Sequence, residues 1–321
     1  MNKFMSYMVA CGVILPASAI TAAAEFPEKP IRIVTPGSPG AGTDILARQI
    51  GQKLTESWGQ PVAIENRMGG GGGIAGRLVL NSEPSGHTLL LAAGSNMTVN
   101  PTLYKLDYNP VQDFVAITEI AASPYLIIVH PSVPAKTVPQ LIALAKQKKG
   151  SFNYASSSVG SPDHLAGELF KLMAGVDITH IPYKGGALAI IDVRGGYVPI
   201  GFSTVPTALP HVKSQGVRVL AITDSKRSKL FPDIPTVAET LPGYELLSWN
   251  GIWAPAATPP TAVDKIYREV RRIISLPEIN ARLRNDGFQP VGSSPTEFTE
   301  FMKTETSKFT KIIKAANIHV N

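Results

Sequence analysis

Glu65-Asn-Arg-Met-Gly-Gly-Gly-Gly-Gly-Ile-Ala-Gly76 follows a strand-like run, Pro61-Val-Ala-Ile64, and its Gly71, Gly73 and Gly76 spell G-x-G-x-x-G. Strand, glycine turn and helix start, in that order, form the fingerprint of a dinucleotide-binding α/β fold. That fingerprint also needs an acidic residue at the end of the next strand, about 20 residues on, to hold the ribose. Here the next strand ends Leu91-Ala-Ala-Gly-Ser-Asn96, with no acid. The five glycines therefore read as a close backbone passage between strand and helix.

Outward from this stretch, strands and helices alternate. Ile31-Arg-Ile-Val-Thr35 reads as a strand, and residues 43–58 as a helix with Ile45, Leu46, Ile50 and Leu54 at helical spacing. A second strand (61–65), a helix (74–80) and a third strand (87–92) complete βαβαβ, the pattern of a parallel sheet covered on both faces. Two apolar strands follow, 114–118 and 125–129, then a helix over 138–149 opened by Thr137. From residue 152 the alternation restarts, with strands at 152–156, 178–183, 198–202 and 217–223 and helices at 163–174 and 187–193. The last third holds one strand, 246–253, and helices over 262–275, 278–285 and 295–316. With no strands left to pair, these helices are expected to return over the first lobe. The expectation is a two-lobe α/β clamshell, each lobe a mostly parallel sheet flanked by helices. Lobe 1 takes residues 25–122 plus 231–321 and lobe 2 takes 123–230. Two hinge crossings suit closure on a ligand.

Residues 1–24 read as a signal peptide: Lys3, an apolar run through Val13-Ile-Leu15, and Thr21-Ala-Ala-Ala24 before Glu25. The run is short of the ~20 apolar residues of a membrane span. Cys11, the only cysteine, lies inside it, so the mature chain is expected to fold without disulfides in the periplasm. A lipid-anchored reading through Cys11 stays open, although the run before it is short and opens polar. The full sequence, 44% hydrophobic and 17% charged, is not disordered in composition. A net charge of +6 raises nucleic acid, but the bases are scattered over Lys146, Lys148, Lys149, Lys226, Arg227, Lys229, Arg268, Arg271 and Arg272. No basic stripe is interleaved with aromatics, so no nucleic-acid partner is expected.

Catalytic patterns fail in turn. No G-x-S-x-G elbow occurs, and Ser161-Pro-Asp-His164 packs three triad residue types too closely in sequence to form a triad. Mature cysteine and H-x-x-x-H spacing are both absent, which leaves zinc unsupported. Walker A is missing as well. Neither enzyme, cofactor nor metal is expected. What remains are small, polar, glycine-rich turns after strands: Pro36 to Asp44, Gly94-Ser-Asn96, Ser156 to His164, Tyr183 to Ala187, and Phe202-Ser-Thr204. Ligands of open α/β sheets bind at such strand ends, where helix N-termini present backbone N–H groups to anions. Capping alone would explain Thr43, Asp44, Ser161 or Asp163 singly; loops of this kind in both lobes favour a binding cleft.

The chain resembles the solute-binding proteins of tripartite tricarboxylate transporters, also called Bug proteins, over essentially its mature length from Phe26. The resemblance rests on Pro27-Glu-Lys-Pro-Ile-Arg-Ile-Val34, Pro39-Gly-Ala-Gly-Thr-Asp44 with Ala47-Arg48, and Val62-Ala-Ile-Glu-Asn-Arg67 with its glycines. Further matches are Pro84-Ser-Gly-His-Thr-Leu89, Asn153-Tyr-Ala-Ser156 with Gly160-Ser161 and His164-Leu165, Ile181-Pro-Tyr-Lys-Gly185, Phe231-Pro-Asp-Ile-Pro-Thr236 and Gly251-Ile-Trp-Ala-Pro255. It implies a clamshell of the periplasmic-binding-protein type, monomeric, that captures a small carboxylate and delivers it to membrane permease subunits. Di- and tricarboxylates, and aromatic acids such as terephthalate, all suit it. A periplasmic sensor presenting its closed form to a signalling partner is the alternative. Carried over residue by residue, ligand contacts fall on Ser38, Gly40, Ala41, Gly42, Thr43, Asp44, Ser95 and Asn96 in lobe 1. In lobe 2 they fall on Ser156, Ser157, Ser161, His164, Tyr183 and Ser203. Two departures stand out: Gly40-Ala41 where the family has paired glycines, and Ser203 where it has an Asp after the Phe. Loss of that acid is expected to favour a ligand with a carboxylate at each end.

Overall fold

Short β-branched runs between glycine turns bury both faces of a sheet only if helices cover them. In the computed structural model, which describes residues 26–228 and 231–320, helices do so in two lobes. The expected signal peptide and Cys11 lie outside the described residues. β1 (Ile31–Thr35), α1 (Gly42–Trp58), β2 (Val62–Asn66), α2 (Gly73–Leu80) and β3 (Thr88–Ala93) form the expected βαβαβ unit. In it β1 pairs in parallel with β2 and β3. Two short helices follow, α3 (Gly94–Thr98) and α4 (Asn100–Leu103).

β4 (Phe114–Val129) then leaves the first lobe and enters the second. The sequence suggests two strands here; the chain runs as one strand of 16 residues, buried almost throughout. Its first half is covered by one lobe and its second half by the other, so the Ser123-Pro124 step interrupts neither. The second lobe continues with α5 (Val138–Gln147), β5 (Asn153–Ser156), α6 (Pro162–Ala174), β6 (Thr179–Pro182), α7 (Gly186–Arg194), β7 (Ile200–Thr204), α8 (Val205–Lys213) and β8 (Arg218–Ile222). Here β5 pairs in parallel with β6 and β7, while β4 runs antiparallel to β7 and β8.

β9 (Leu247–Pro255) returns to the first lobe. It pairs with β4 across the crossing, Ser123 opposite Ser248 and Pro124 opposite Leu247. A strand going out and a strand coming back must be antiparallel, which sets these two apart from the parallel trios. α9 (Pro260–Ser275), α10 (Pro277–Asn285), β10 (Gln289–Pro290) and α11 (Pro295–Ala315) complete the chain.

Helices α1, α9 and α10 cover one face of the first sheet, with Leu46, Ile50, Ile266, Val270 and Leu283 against Ile33, Leu91 and Ile252. Each such aliphatic side chain, once fully buried, contributes about 1.5–3 kcal/mol. Val237, Tyr244 and Leu246 pack with Tyr154 and Phe202 of the second lobe, and Leu246 N–H donates to Thr223 O at 2.9 Å. α11 differs from expectation. Phe298 and Met302 pack on Trp249 and Trp253 in the first lobe, whereas Phe309, Ile312 and Ile313 pack in the core of the second. Its 21 residues span roughly 30 Å, long enough to lie across both lobes.

Candidate ligand-binding site

A cavity of about 680 Å³ opens between the lobes. The first lobe contributes Gly40, Ala41, Gly42, Thr43, Ile45, Ala93, Asp286 and Phe288. The second contributes Ser157, Thr204, Pro206 and Thr207, and the two crossing strands supply Ser123, Ser248 and Asn250 as a floor. Strand alternation explains the floor: Ser248 and Asn250 face the cavity, while Trp249 between them faces α11, with Nε1 donating to Glu305 Oε2 at 3.2 Å.

The β1–α1 loop reaches the cavity because Asp44 ties it down from behind. Its Oδ2 accepts from Gly40 N–H and from Arg48 Nε, both at 2.9 Å, and its Oδ1 accepts from Asn66 Nδ2 at 2.9 Å. The Arg48 guanidinium, then the Gly40 and Asn66 donors, hold the carboxyl down at about 2 against the cost of burial. Gly40 takes φ of +81°, a left-handed turn that glycine enters without a steric penalty. Phe288 lies against the loop, its ring edge 3.5 Å from where a Cβ on Gly42 would stand.

Three helices begin at the cavity without a side-chain cap: α1 after Ala41, the short α3 after Ala93, and α8 after Thr204. α5 and α11, which start elsewhere, are capped by Thr137 and Ser294, whereas α6, α7, α9 and α10 also start without a side-chain cap. The uncapped starts leave first-turn N–H groups, and the positive helix ends, for an anion. Pro206 has no N–H to give, but Val205 and Thr207 do. Thr204 donates its hydroxyl to Thr207 Oγ1 at 2.9 Å, so the Thr207 hydrogen remains for a ligand. Ser157, by contrast, gives its hydroxyl to Asp163 Oδ1 at 2.7 Å and its N–H to Oδ2 at 2.6 Å. It offers a ligand lone pairs only. Among the described residues lysine, arginine and histidine are absent from the lining.

Of the fourteen residues singled out from sequence, Gly40, Ala41, Gly42, Thr43 and Ser157 border this cavity. Ser203 lines an adjoining recess of about 140 Å³ with Tyr125, Asp163 and Gly186. The others stand behind. Ser38 O accepts from Ala41 N–H at 2.9 Å, and Asp44 clamps the loop. Ser95 lies in the first turn of α3. Asn96 donates through Nδ2 to Gly71 O at 3.0 Å, as Asn100 does at 2.6 Å. The pentaglycine run is thus a turn held against α3 and α4, outside the cavity; Gly69, Gly70, Gly71 and Gly72 all take positive φ. Ser156 Oγ meets His180 Nε2 at 2.6 Å, and Ser161 donates to Ser158 O at 2.7 Å. His164 accepts from Gly160 N–H at 2.9 Å and stacks on His180 with centroids 3.7 Å apart. Tyr183 donates to Asp192 Oδ2 at 2.6 Å. Among the described residues no group of three or more His, Cys, Asp or Glu is placed to hold a metal.

Sequence reasoning missed Ile45, Ala93, Ser123, Pro206, Thr207, Ser248, Asn250, Asp286 and Phe288, and named Thr204 only as part of the turn after Phe202. Ser123 and Ser248 carried a signal, a polar residue in an otherwise apolar strand. Asp286 and Phe288 carried none, since only the tertiary fold brings α10 to α1.

Residues 46–318 match the Tripartite tricarboxylate transporter family receptor, TctC. The chain belongs to this family. Like other TctC receptors it has curated relatives of similar length: BugT of Bordetella pertussis is 31% identical over 311 residues, covering 96% of this chain and 94% of BugT. A solved structure of R. palustris Rpa4515 with adipate superposes with a TM-score of 0.81 at 34% identity, over 92% of this chain and 99% of the other. MatC from Rhodopseudomonas palustris with bound malate gives 0.75 at 28% identity, over 90% and 100%. Both share the fold of this TctC receptor.

Proposed function

We propose that the protein is a periplasmic receptor that closes its two lobes on a small dicarboxylate and hands it to the permease subunits of a tripartite transporter. The observation that carries this reading is the cleft. Uncapped helix starts from both lobes, α1 and α8, border it together with hydroxyls, an amide, apolar side chains and the Asp286 carboxylate, with no cationic side chain among the described residues. One carboxylate at each helix start satisfies both, and the apolar span of Ile45, Pro206 and Phe288 suits a hydrocarbon body. Adipate and malate, held by the two relatives named above, are acids of this type. Among the described residues no helix is long and apolar enough to cross a membrane, which fits a receptor that meets its permease from outside.

Calorimetric titration of the stripped protein with adipate, succinate, malate, glutamate, benzoate and terephthalate, with NAD and ATP as controls, tests the reading. One-to-one binding of a diacid, ahead of monoacids and nucleotides, is expected; silence towards every acid sinks it. Ser203→Asp is a sharper probe, because an acid at 203 would share the recess with Asp163. Diacid affinity is expected to fall about tenfold or more in that variant, as for a like charge a few ångströms away. Unchanged affinity would place the ligand away from β7.

A further inference from the structure

One acidic side chain borders the cleft. Asp286 ends α10 and lies beside Phe288 and Ile45 on the wall next to α1. Its Oδ2 accepts from Gln49 Nε2 at 3.4 Å, and Gln49 lies one helical turn beyond Ile45 on α1, so both face the same wall. No hydrogen-bond donor among the described residues reaches Oδ1. Gly287 next to it backs onto Val205, with 3.0 Å between a Cβ on Gly287 and Val205 Cγ1. The acid therefore stands where the two lobes meet, on the flank of any molecule stretched from α1 to α8.

From this placement we propose that Asp286 is a specificity-determining residue: it makes the cleft a dicarboxylate site that rejects tricarboxylates. The inference rests on the diacid reading above. A ligand pinned by its ends presents its middle to the walls. On the α1 side that wall offers Ile45 and Phe288, which cannot hydrogen-bond, and the Asp286 carboxylate, which repels another carboxylate. Among the described residues no lysine, arginine or histidine borders the cavity to offset the repulsion. A third carboxylate on this flank thus gains no donor and meets a like charge; an unsubstituted chain meets neither cost.

Matched ligands isolate the effect. Glutarate and tricarballylate differ by one central carboxylate, as do adipate and its 3-carboxy derivative. Calorimetry on the wild-type protein is expected to show the diacid of a pair bound at least about tenfold more tightly than the triacid. Raising salt should narrow the gap, since a half-buried like-charge repulsion is screened. Asp286→Asn keeps the shape and the contact with Gln49; it is expected to bring the diacid-to-triacid affinity ratio most of the way to one, with triacid affinity rising more than diacid affinity. Asp286→Ser serves as the second variant, and thermal unfolding of both checks the fold. Equal wild-type affinity for diacid and triacid overturns the proposal, and so does a gap that survives both substitutions. Loss of diacid binding in a folded Asp286→Asn protein also overturns it, because the acid would then be accepting a hydrogen bond from the ligand. If no diacid binds the wild-type protein at all, the dicarboxylate reading itself fails first.

Discussion

Thr207 is a hydroxyl in the cleft whose hydrogen is left for a ligand, because Thr204 already donates to its oxygen. Thr207→Val keeps the shape and removes that donor. It should weaken a diacid by about 10- to 150-fold, the worth of one hydrogen bond to a charged group, with the unfolding midpoint hardly moved; titration beside a urea melt measures both. Behind the second-lobe loop, the His164 and His180 rings are kept neutral well below the ordinary 6.5. Burial comes first in both cases, and His180 is further pushed down by His164. The unfolded chain takes up protons at ordinary histidine values while the folded pair does not, so acidification below pH 6.5 costs stability. Glu119 works the other way, raised to about 7 by burial and then by Glu305; the folded state holds its proton more firmly. The histidine contribution is therefore read as a difference: His180→Asn should lose less stability than wild type between pH 7 and 5, followed as urea midpoints. At this scale the sequence was half legible. Gly40 to Thr43 could be picked out because a glycine turn after a strand is a local signal. Asn96, His164 and Tyr183 are local signals too, yet their polar atoms are consumed by Gly71, Gly160 and Asp192. Composition cannot show which way a polar group points.

The helical element that starts at the cavity floor, α3, is set by a close approach. A Cβ on Gly94 would stand 2.1 Å from the Trp249 ring, so this glycine lets the first turn of α3 lie flat on β9. Gly94→Ala must displace the ring or the helix, and a cost of about 1–3 kcal/mol is expected for that overpacking. Chemical denaturation followed by tryptophan fluorescence would register it; a neutral substitution would mean that α3 moves freely. The βαβαβ unit was readable because each element alternates or repeats at its own period. β4 was not, since two apolar runs separated by Ser123-Pro124 look alike whether they form two strands or one. Only the presence of a second lobe to bury the distal half decides it. The pentaglycine turn was read correctly for a simple reason: the ribose-binding acid was missing.

Across the molecule, α11 is fastened to both lobes. Its Glu305 receives Trp249 Nε1 and pairs with Lys308 midway between the two cores. Phe309→Ala should destabilise by about 3–5 kcal/mol. Hydrogen exchange should then rise in β5, α6 and the end of α11, with the β2-β1-β3 trio spared. Equal loss in both lobes would mean that they unfold as one unit. Two lobes could be counted from the sequence by the restart of the strand–helix alternation at residue 152. The reach of α11 could not, because an amphipathic stripe announces that it will be buried but not against what.

The same helix bears on how the chain is made. The first lobe lacks its central strand β9 and its helices α9 and α10 until the second lobe has already been synthesised, and each lobe then waits for one half of α11. A chain stopped before residue 295 would hold two sheets, each missing part of its cover. Folding during elongation can therefore advance only to open, partly exposed intermediates. The final step belongs to α11, so the protein stays unfinished, and open to chaperones and proteases, until residues 295–315 have been delivered.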